Sequence, residues 1–166
     1  MKTVLLIRHA KSSWGDLSLP DFERPLNDRG KADAPKMAKR LQKKNIPIDT
    51  FISSPARRAR KTAEVFAVQY GLKKSDIVFR EELYHAQPAT FFETIASASP
   101  GSDSIAIFSH NPGITEFANS LTDNRVDNMP TCSIFAVRAE VDDWSDFKNA
   151  RKVLYFFDFP KSVDTD

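Results

Sequence analysis

Thr3-Val4-Leu5-Leu6-Ile7-Arg8-His9-Ala10 is a nearly continuous apolar run that stops abruptly at an Arg-His pair. Such a run fits a strand buried on both faces, as in parallel sheets covered by helices on each side. Beyond it the chain alternates short apolar runs with longer helical patterns, which signals an α/β layer architecture. A polar, Pro-containing loop spans 12–27, long enough to suggest a functional role. Asp28 is placed to cap a helix running to about Lys44, with Ala34, Met37, Ala38 and Leu41 as its apolar face and Pro35 near its first turns. Thr50–Ser53 reads as a strand. A helix over Ala56–Tyr70 follows, with Ala59, Ala63, Phe66 and Ala67 inward and Gly71 as its stop. Ile77–Phe79 is a third strand, and Pro88 opens a helix carrying Phe91, Phe92 and Ile95. Ser104–Phe108 follows a Pro100-Gly101 turn as another buried strand, and Pro112 opens a helix to about Leu121. Cys132–Val137 and Lys152–Phe157 are the last strands, joined by a loop over Asp142–Asn149. The expected fold is α/β: a single three-layer α/β/α sandwich with a mostly parallel central sheet over residues 1–161, and a polar tail over 162–166.

Composition narrows the function. The 166 residues are 41% hydrophobic and 28% charged, the balance of an ordinary globular protein. Lys and Arg total 24 against 22 acidic residues, a net charge of +2, so neither nucleic acid nor an anionic membrane is expected as partner. Cys132 is the single cysteine, which excludes an internal disulfide and suits a reducing cytosol. No apolar run approaches the ~20 residues of a membrane span. Val4–Ile7 is too short for a signal-peptide core, so a cytoplasmic location is expected.

In open α/β sheets, ligands bind beyond the carboxyl ends of the strands. Three strand ends carry polar groups: Arg8-His9, Ser53-Ser54-Pro55 with the arginines after it, and Ser109-His110-Asn111. Arginine offers planar, permanently charged donors matched to phosphoryl oxygens. A neutral imidazole is a nucleophile, and neighbouring positive charge keeps it neutral. A second histidine can donate to the transferring oxygens, and amides at the starts of the helices near Ala56 and Gly113 can add donors. Brought together, these parts perform phosphoryl transfer through a phosphohistidine. Three histidines without ligand-spaced carboxylates make a poor metal site, so no metal or other cofactor is expected.

Arg8-His9-Ala10 after an apolar strand resembles the Arg-His-Gly/Ala signature of the histidine phosphatase superfamily. Ser54-Pro55-Ala56-Arg57-Arg58-Ala59-Arg60-Lys61-Thr62 is similar to its Ser-Pro-x-x-Arg-Ala-x-x-Thr segment, and Ser109-His110-Asn111-Pro112-Gly113 to its Gly/Ser-His-Asn-Pro segment. Arg8-His9-Ala10-Lys11-Ser12-Ser13-Trp14, Arg24-Pro25-Leu26-Asn27-Asp28-Arg29-Gly30 and Glu82-Leu83-Tyr84 resemble the SixA-type phosphohistidine phosphatases most. The resemblance implies a phosphoglycerate mutase-like fold, with His9 as nucleophile, Arg8 and Arg58 binding phosphoryl oxygens and His110 completing the pocket. It places Ser12, Ser13 and Asn111 as further substrate contacts. It implies metal-free hydrolysis of phosphohistidine on a protein, such as a histidine phosphotransfer domain. The alternatives are a small-molecule phosphomonoesterase or mutase of the same superfamily, or a non-catalytic phosphate-binding module.

One departure bears on substrate. Mutase relatives carry Glu where this chain has Lys11, and their glutamate acid has no aligned counterpart; Glu81, Glu82, Asp16, Asp21 and Glu23 are the candidates. An alkoxide leaving group needs a proton from an acid, whereas a phosphoimidazole protonated on its other nitrogen leaves as neutral imidazole. A missing acid therefore favours phosphoramidates. His85 stands outside any motif position. Trp14 either packs the first loop or lines the pocket mouth, and Cys132 reads as an inert residue of a buried strand. Arg60 and Lys61 read as a solvated helical face, while Arg57 and Lys11 join Arg8 and Arg58 in a basic rim that suits a phosphorylated surface. Phe91, Phe92, Phe108, Phe156 and Phe157 read as core. Only about fifty residues separate Arg58 from His110, where larger relatives carry cap-like insertions, so an open pocket is expected.

Overall fold

In the computed structural model, which describes residues 1–162, the TVLLIR run is β1 (Lys2–Arg8), and Val4, Leu5, Leu6 and Ile7 are wholly shielded from solvent. Residues 163–166, most of the expected polar tail, lie outside the described residues. The other strands are β2 (Thr50–Ser53), β3 (Val78–Phe79), β4 (Ser104–Ser109), β5 (Ile134–Ala139) and β6 (Lys152–Asp158). They form one six-stranded sheet in the order β3-β2-β4-β1-β5-β6. β1, β2, β3 and β4 pair in parallel, β5 runs antiparallel to β1, and β6 antiparallel to β5. Only β5 therefore runs against the rest, and the sheet is mostly parallel as its apolar runs imply.

Side chains alternate across the sheet with a period of two. Leu5 and Ile7 face a core shared with α1 (Asp28–Lys43) and α2 (Arg57–Gln69), through Ala34, Met37, Leu41 and Phe66. Val4 and Leu6 face the opposite core, under α3 (Pro88–Ala96) and α4 (Gly113–Leu121), with Phe91, Ile95 and Phe117. Each face of β1 thus has its own helical layer, which is why the strand carries no polar alternation.

Several boundaries differ from the sequence reading, each for a local reason. The cap of α1 is Asn27, whose side-chain oxygen accepts the Gly30 N–H at 2.9 Å, and Asp28 is the first helical residue. Ala56 and Pro112 lie just outside α2 and α4 at their N-cap positions. Ile77 is buried but precedes β3, an exposed two-residue edge strand. Cys132 is not in a strand: it sits in a left-handed turn (φ 62°) two residues before β5.

The register positions the site. Arg8 pairs with Ser109 and Ser53 with Phe108, so β1, β4 and β2 end level and side by side. Two glycines allow the chain to close around that rim. A Cβ on Gly30 would stand 2.2 Å from the Lys11 carbonyl oxygen, and one on Gly113 2.0 Å from that of Ala86. Only glycine lets α1 lie against the loop after β1, and α4 against the segment before α3.

Candidate active site

His9 is the first residue beyond β1, and its backbone is fixed from three sides. Its N–H donates to the Ser109 carbonyl at 3.1 Å, extending the β1–β4 ladder. The Cys132 N–H reaches the Arg8 and His9 carbonyls at 3.0 Å each, and the next amide, Ala10, donates to Thr62 Oγ1 at 3.0 Å. The imidazole is 6% exposed, with Nδ1 2.7 Å from the Ala10 carbonyl oxygen. A carbonyl only accepts, so Nδ1 holds the proton and Nε2 keeps its lone pair. Burial, then the charges of Arg58, Arg8 and Arg24, bring the His9 pKa down to about 3 against the Ala10 hydrogen bond, so the ring is neutral at physiological pH.

His110, at the end of β4, lies across from it with ring centroids 5.1 Å apart. Its Nε2 is 2.8 Å from Ser54 Oγ, whose oxygen accepts the Ala56 N–H at 3.2 Å. Burial, with His9 and Arg58 nearby, brings its pKa down to about 2. Arg8 donates through Nη1 to the Met129 carbonyl at 2.8 Å. Two buried polar atoms of the cluster, Arg8 Nε and His110 Nδ1, have no hydrogen-bond partner among the described residues. Buried polar groups are seldom left unpaired, so the Arg8 Nε–H suits a ligand bearing oxygens, as does His110 Nδ1 in the tautomer that carries its proton there, with Nε2 accepting from the Ser54 hydroxyl.

Arg58 lies in the first turn of α2, 7% exposed. Its Nη1 donates to the Asp21 carbonyl at 2.7 Å and its Nη2 to Asp21 Oδ2 at 3.0 Å. Thr62, one turn on, donates to the Arg58 carbonyl at 2.7 Å while accepting from Ala10. The Ser54–Thr62 segment therefore meets the cluster at three places: Ser54 at His110, Arg58 with its own guanidinium, and Thr62 at the loop carrying His9.

His9, His110, Arg8 and Arg58 thus converge. The remaining expected residues border them in other ways. Ser12 Oγ accepts from Arg24 Nη2 at 2.6 Å, and Ser13 Oγ accepts the Gly15 N–H at 2.9 Å. The Asn111 amide donates to Asn128 Oδ1 at 2.6 Å while its oxygen accepts from Thr115 at 2.6 Å. These three side chains brace the loops that frame the cluster. Lys11, Arg57, Arg60 and Lys61 are exposed, and Arg57 reaches the Glu23 carbonyl at 3.4 Å. His85 is exposed, with its ring 4.1 Å from that of Tyr84.

Arg24, Thr62 and Tyr84 neighbour the cluster but were given no role in the sequence reading. Arg24 is buried and donates through Nε to the Ser13 carbonyl, through Nη1 to Asp21 and through Nη2 to Ser12. Trp14, 66% exposed, stacks on its guanidinium at 3.3 Å, so it packs the first loop. Tyr84 sets its ring 5.5 Å from His110 and donates its hydroxyl to Asp21 Oδ2 at 2.5 Å. Arg24, Thr62 and Tyr84 all stand inside the motif-like segments, which was the available signal.

Among the candidate acids, Asp21 alone is hydrogen-bonded to a member of the cluster. The Tyr84 hydroxyl, then Arg24 and Arg58, hold its carboxyl well below the usual carboxylate range. Asp16 is likewise held down by the Ser18 hydroxyl and amide, on an exposed loop. Glu23, Glu81 and Glu82 are exposed. Among the described residues no group of three or more His, Cys, Asp or Glu side chains is placed to hold a metal ion. No helix there is long and apolar enough to cross a membrane.

The two buried histidines carry a stability consequence. Each is neutral in the fold and protonates near 6.5 when unfolded, so below that pH the unfolded chain binds more protons. Stability therefore falls as pH drops from about 6.5 toward the folded values, by about 1.4 kcal/mol per pH unit for each histidine. Asp21 adds a loss of the same sign at lower pH, because its folded-state value lies below the ordinary 3.8. Urea unfolding should show the decline between pH 6.5 and 4.5, with a shallower slope in His9→Asn; a stability flat over that window would contradict the neutral pair.

The model of branch 1 of the histidine phosphatase superfamily matches residues 4–87. A chloroplastic protein of Arabidopsis thaliana is 31% identical over 153 residues, covering 87% of this chain and 70% of its own. The structure of SixA from Agrobacterium tumefaciens is 25% identical and superposes with a TM-score of 0.80, covering 96% of this chain and 98% of that one. A mycobacterial glucosyl-3-phosphoglycerate phosphatase shares the fold more loosely, with a TM-score of 0.65 at 16% identity, covering 93% of this chain and 97% of that one. The chain belongs to branch 1 of the histidine phosphatase superfamily, as a phosphatase of the SixA type.

Proposed function

We propose that the enzyme hydrolyses phosphohistidine on a protein through a phosphoryl group carried on His9 Nε2. One observation carries this reading: the carboxylate joined to the cluster, Asp21, is held ionised by Tyr84, Arg24 and Arg58. An ionised carboxylate cannot protonate an alkoxide leaving group.

In the first step the Nε2 lone pair of His9 attacks phosphorus while the P–N bond of the substrate breaks. The electron pair of that bond stays on the departing imidazole, which leaves neutral because its other nitrogen already holds a proton. Arg8 and Arg58 bind the equatorial oxygens and His110 completes the oxygen-binding wall. The Ala10 carbonyl holds the His9 Nδ1 proton throughout and orients the ring. In the second step water attacks the phosphoryl group from the side vacated by the leaving imidazole. The P–N pair returns to His9 Nε2 and both water protons end on the released phosphate. The exposed Lys11 and Arg57 form a basic border that suits a phosphorylated protein surface.

A panel of a phosphohistidine-bearing phosphotransfer protein, free phosphohistidine, a sugar phosphate, phosphoglycerate and a simple alkyl phosphate tests the reading. The expected result is a kcat/KM for phosphohistidine at least about 100-fold above any phosphomonoester, the low end of what a general acid supplies. Equal rates on alkyl phosphates would contradict it and favour a small-molecule phosphomonoesterase or mutase. No turnover of any member would favour a phosphate-binding module.

A further inference from the structure

The Arg58 guanidinium is aimed by a side chain that nothing in the motif pattern singles out. We propose that Asp21 is a positioning residue, which fixes the plane of the Arg58 fork so that its remaining N–H groups meet the phosphoryl oxygens. The inference rests on the reading above that Arg58 binds those oxygens.

Two of the five N–H donors of Arg58 go to one residue, from its two Nη atoms to the Asp21 carbonyl (2.7 Å) and carboxylate (3.0 Å). Two contacts on a rigid planar group leave it no rotation. Asp21 is itself immobilised. Its Oδ1 accepts from Arg24 Nη1 at 3.0 Å, and its Oδ2 accepts the Tyr84 hydroxyl at 2.5 Å as well as Arg58. Arg24 is anchored to Ser12 and Ser13, just downstream of the nucleophile. Asp21 therefore ties the β1–α1 loop, the start of α2 and the segment before α3 to one guanidinium. Electrostatics calls for such a partner: burial, and then the nearby charge of Arg58, lower the Arg8 pKa. Without a carboxylate the two cations would push apart.

Positioning and simple electrostatics predict opposite signs. A carboxylate beside an anion site repels the anion, so a bystander removed by mutation would tighten phosphate binding. A positioning residue removed would weaken it. The probe is inorganic phosphate, titrated calorimetrically into the intact protein at constant pH. Asp21→Ala should raise the dissociation constant about 10-fold, the scale of one charge-assisted hydrogen bond. Asp21→Asn, which keeps an acceptor, should fall between it and wild type, as should Tyr84→Phe, which removes one of the carboxylate's three anchors without changing charge. In an Arg58→Ala background, Asp21→Ala should change the constant less than about 2-fold, because coupled residues are non-additive. Thermal melts of each variant report folding separately, and Tyr84→Phe serves if Asp21→Ala does not fold. Unchanged or tighter binding by Asp21→Ala, or equal losses with and without Arg58, would overturn the proposal. Wild-type protein that takes up no phosphate would instead strike at the anion-binding reading of the whole cluster.

Discussion

His9→Ala should lose at least about 10⁴-fold in kcat on the best substrate, the range seen when a nucleophile acting as part of a unit is removed. The variant should fold, because the imidazole hydrogen-bonds only the neighbouring Ala10 carbonyl among the described residues, while the backbone of residues 8–10 is held by the Ser109 and Cys132 main chains and the Thr62 hydroxyl. Circular dichroism and a thermal melt alongside the rate measurement separate lost chemistry from lost structure. His110 offers no substitute nucleophile in the same orientation, since its Nε2 is engaged with Ser54. A folded His9→Ala protein retaining a tenth of wild-type turnover would be incompatible with covalent catalysis at this residue.

Arg8→Lys should lower kcat/KM by about 10²–10³-fold although the formal charge is kept. Lysine places a point charge on a flexible stem, whereas Arg8 is held by its Nη1 bond to the Met129 carbonyl, with Nε buried and without a partner among the described residues. The substitution removes both the anchor and the second donor. A loss confined to KM would assign Arg8 to binding alone, while a loss in kcat assigns it to oxygens whose charge grows in the transition state. Wild-type activity in Arg8→Lys would show that charge suffices and that the planar fork has no role.

The parts of this site that could be read from residues alone are those at the ends of buried strands. β1 and β4 are covered by helices on both faces, so they appear as unbroken apolar runs, and the polar residues that end them, Arg8-His9 and Ser109-His110, mark one rim. Arg58 was legible through its place in the Ser54–Thr62 pattern. Arg24 and Tyr84 stood in motif-like segments too, but their contacts with the cluster were not legible, because they come from a long loop and the end of a 3-10 turn, where no periodicity relates sequence separation to distance. Asp21 was one of five carboxylates that sequence cannot rank; its ionised state depends on Tyr84, 63 residues away. The misplaced Cys132 shows a different limit. Its apolar context reads as strand, but hydrophobicity does not report the sign of φ, and here the residue turns the chain so that its amide caps the carbonyls of Arg8 and His9. Asn27 and Asp28 are adjacent and equally good caps, so the choice between them fell to the loop's extended backbone at Asn27.

The central claim is a phosphoryl group on one nitrogen of His9. It is tested most directly by mixing enzyme with a phosphorylated donor, quenching in alkali within the first turnovers, and locating the phosphate by mass spectrometry and ³¹P NMR. The phosphate should be acid-labile and base-stable, sit on His9 at Nε2 and be absent from His9→Ala. Phosphate found on another residue, or a burst of inorganic phosphate with none on the protein at any time, would contradict the covalent account.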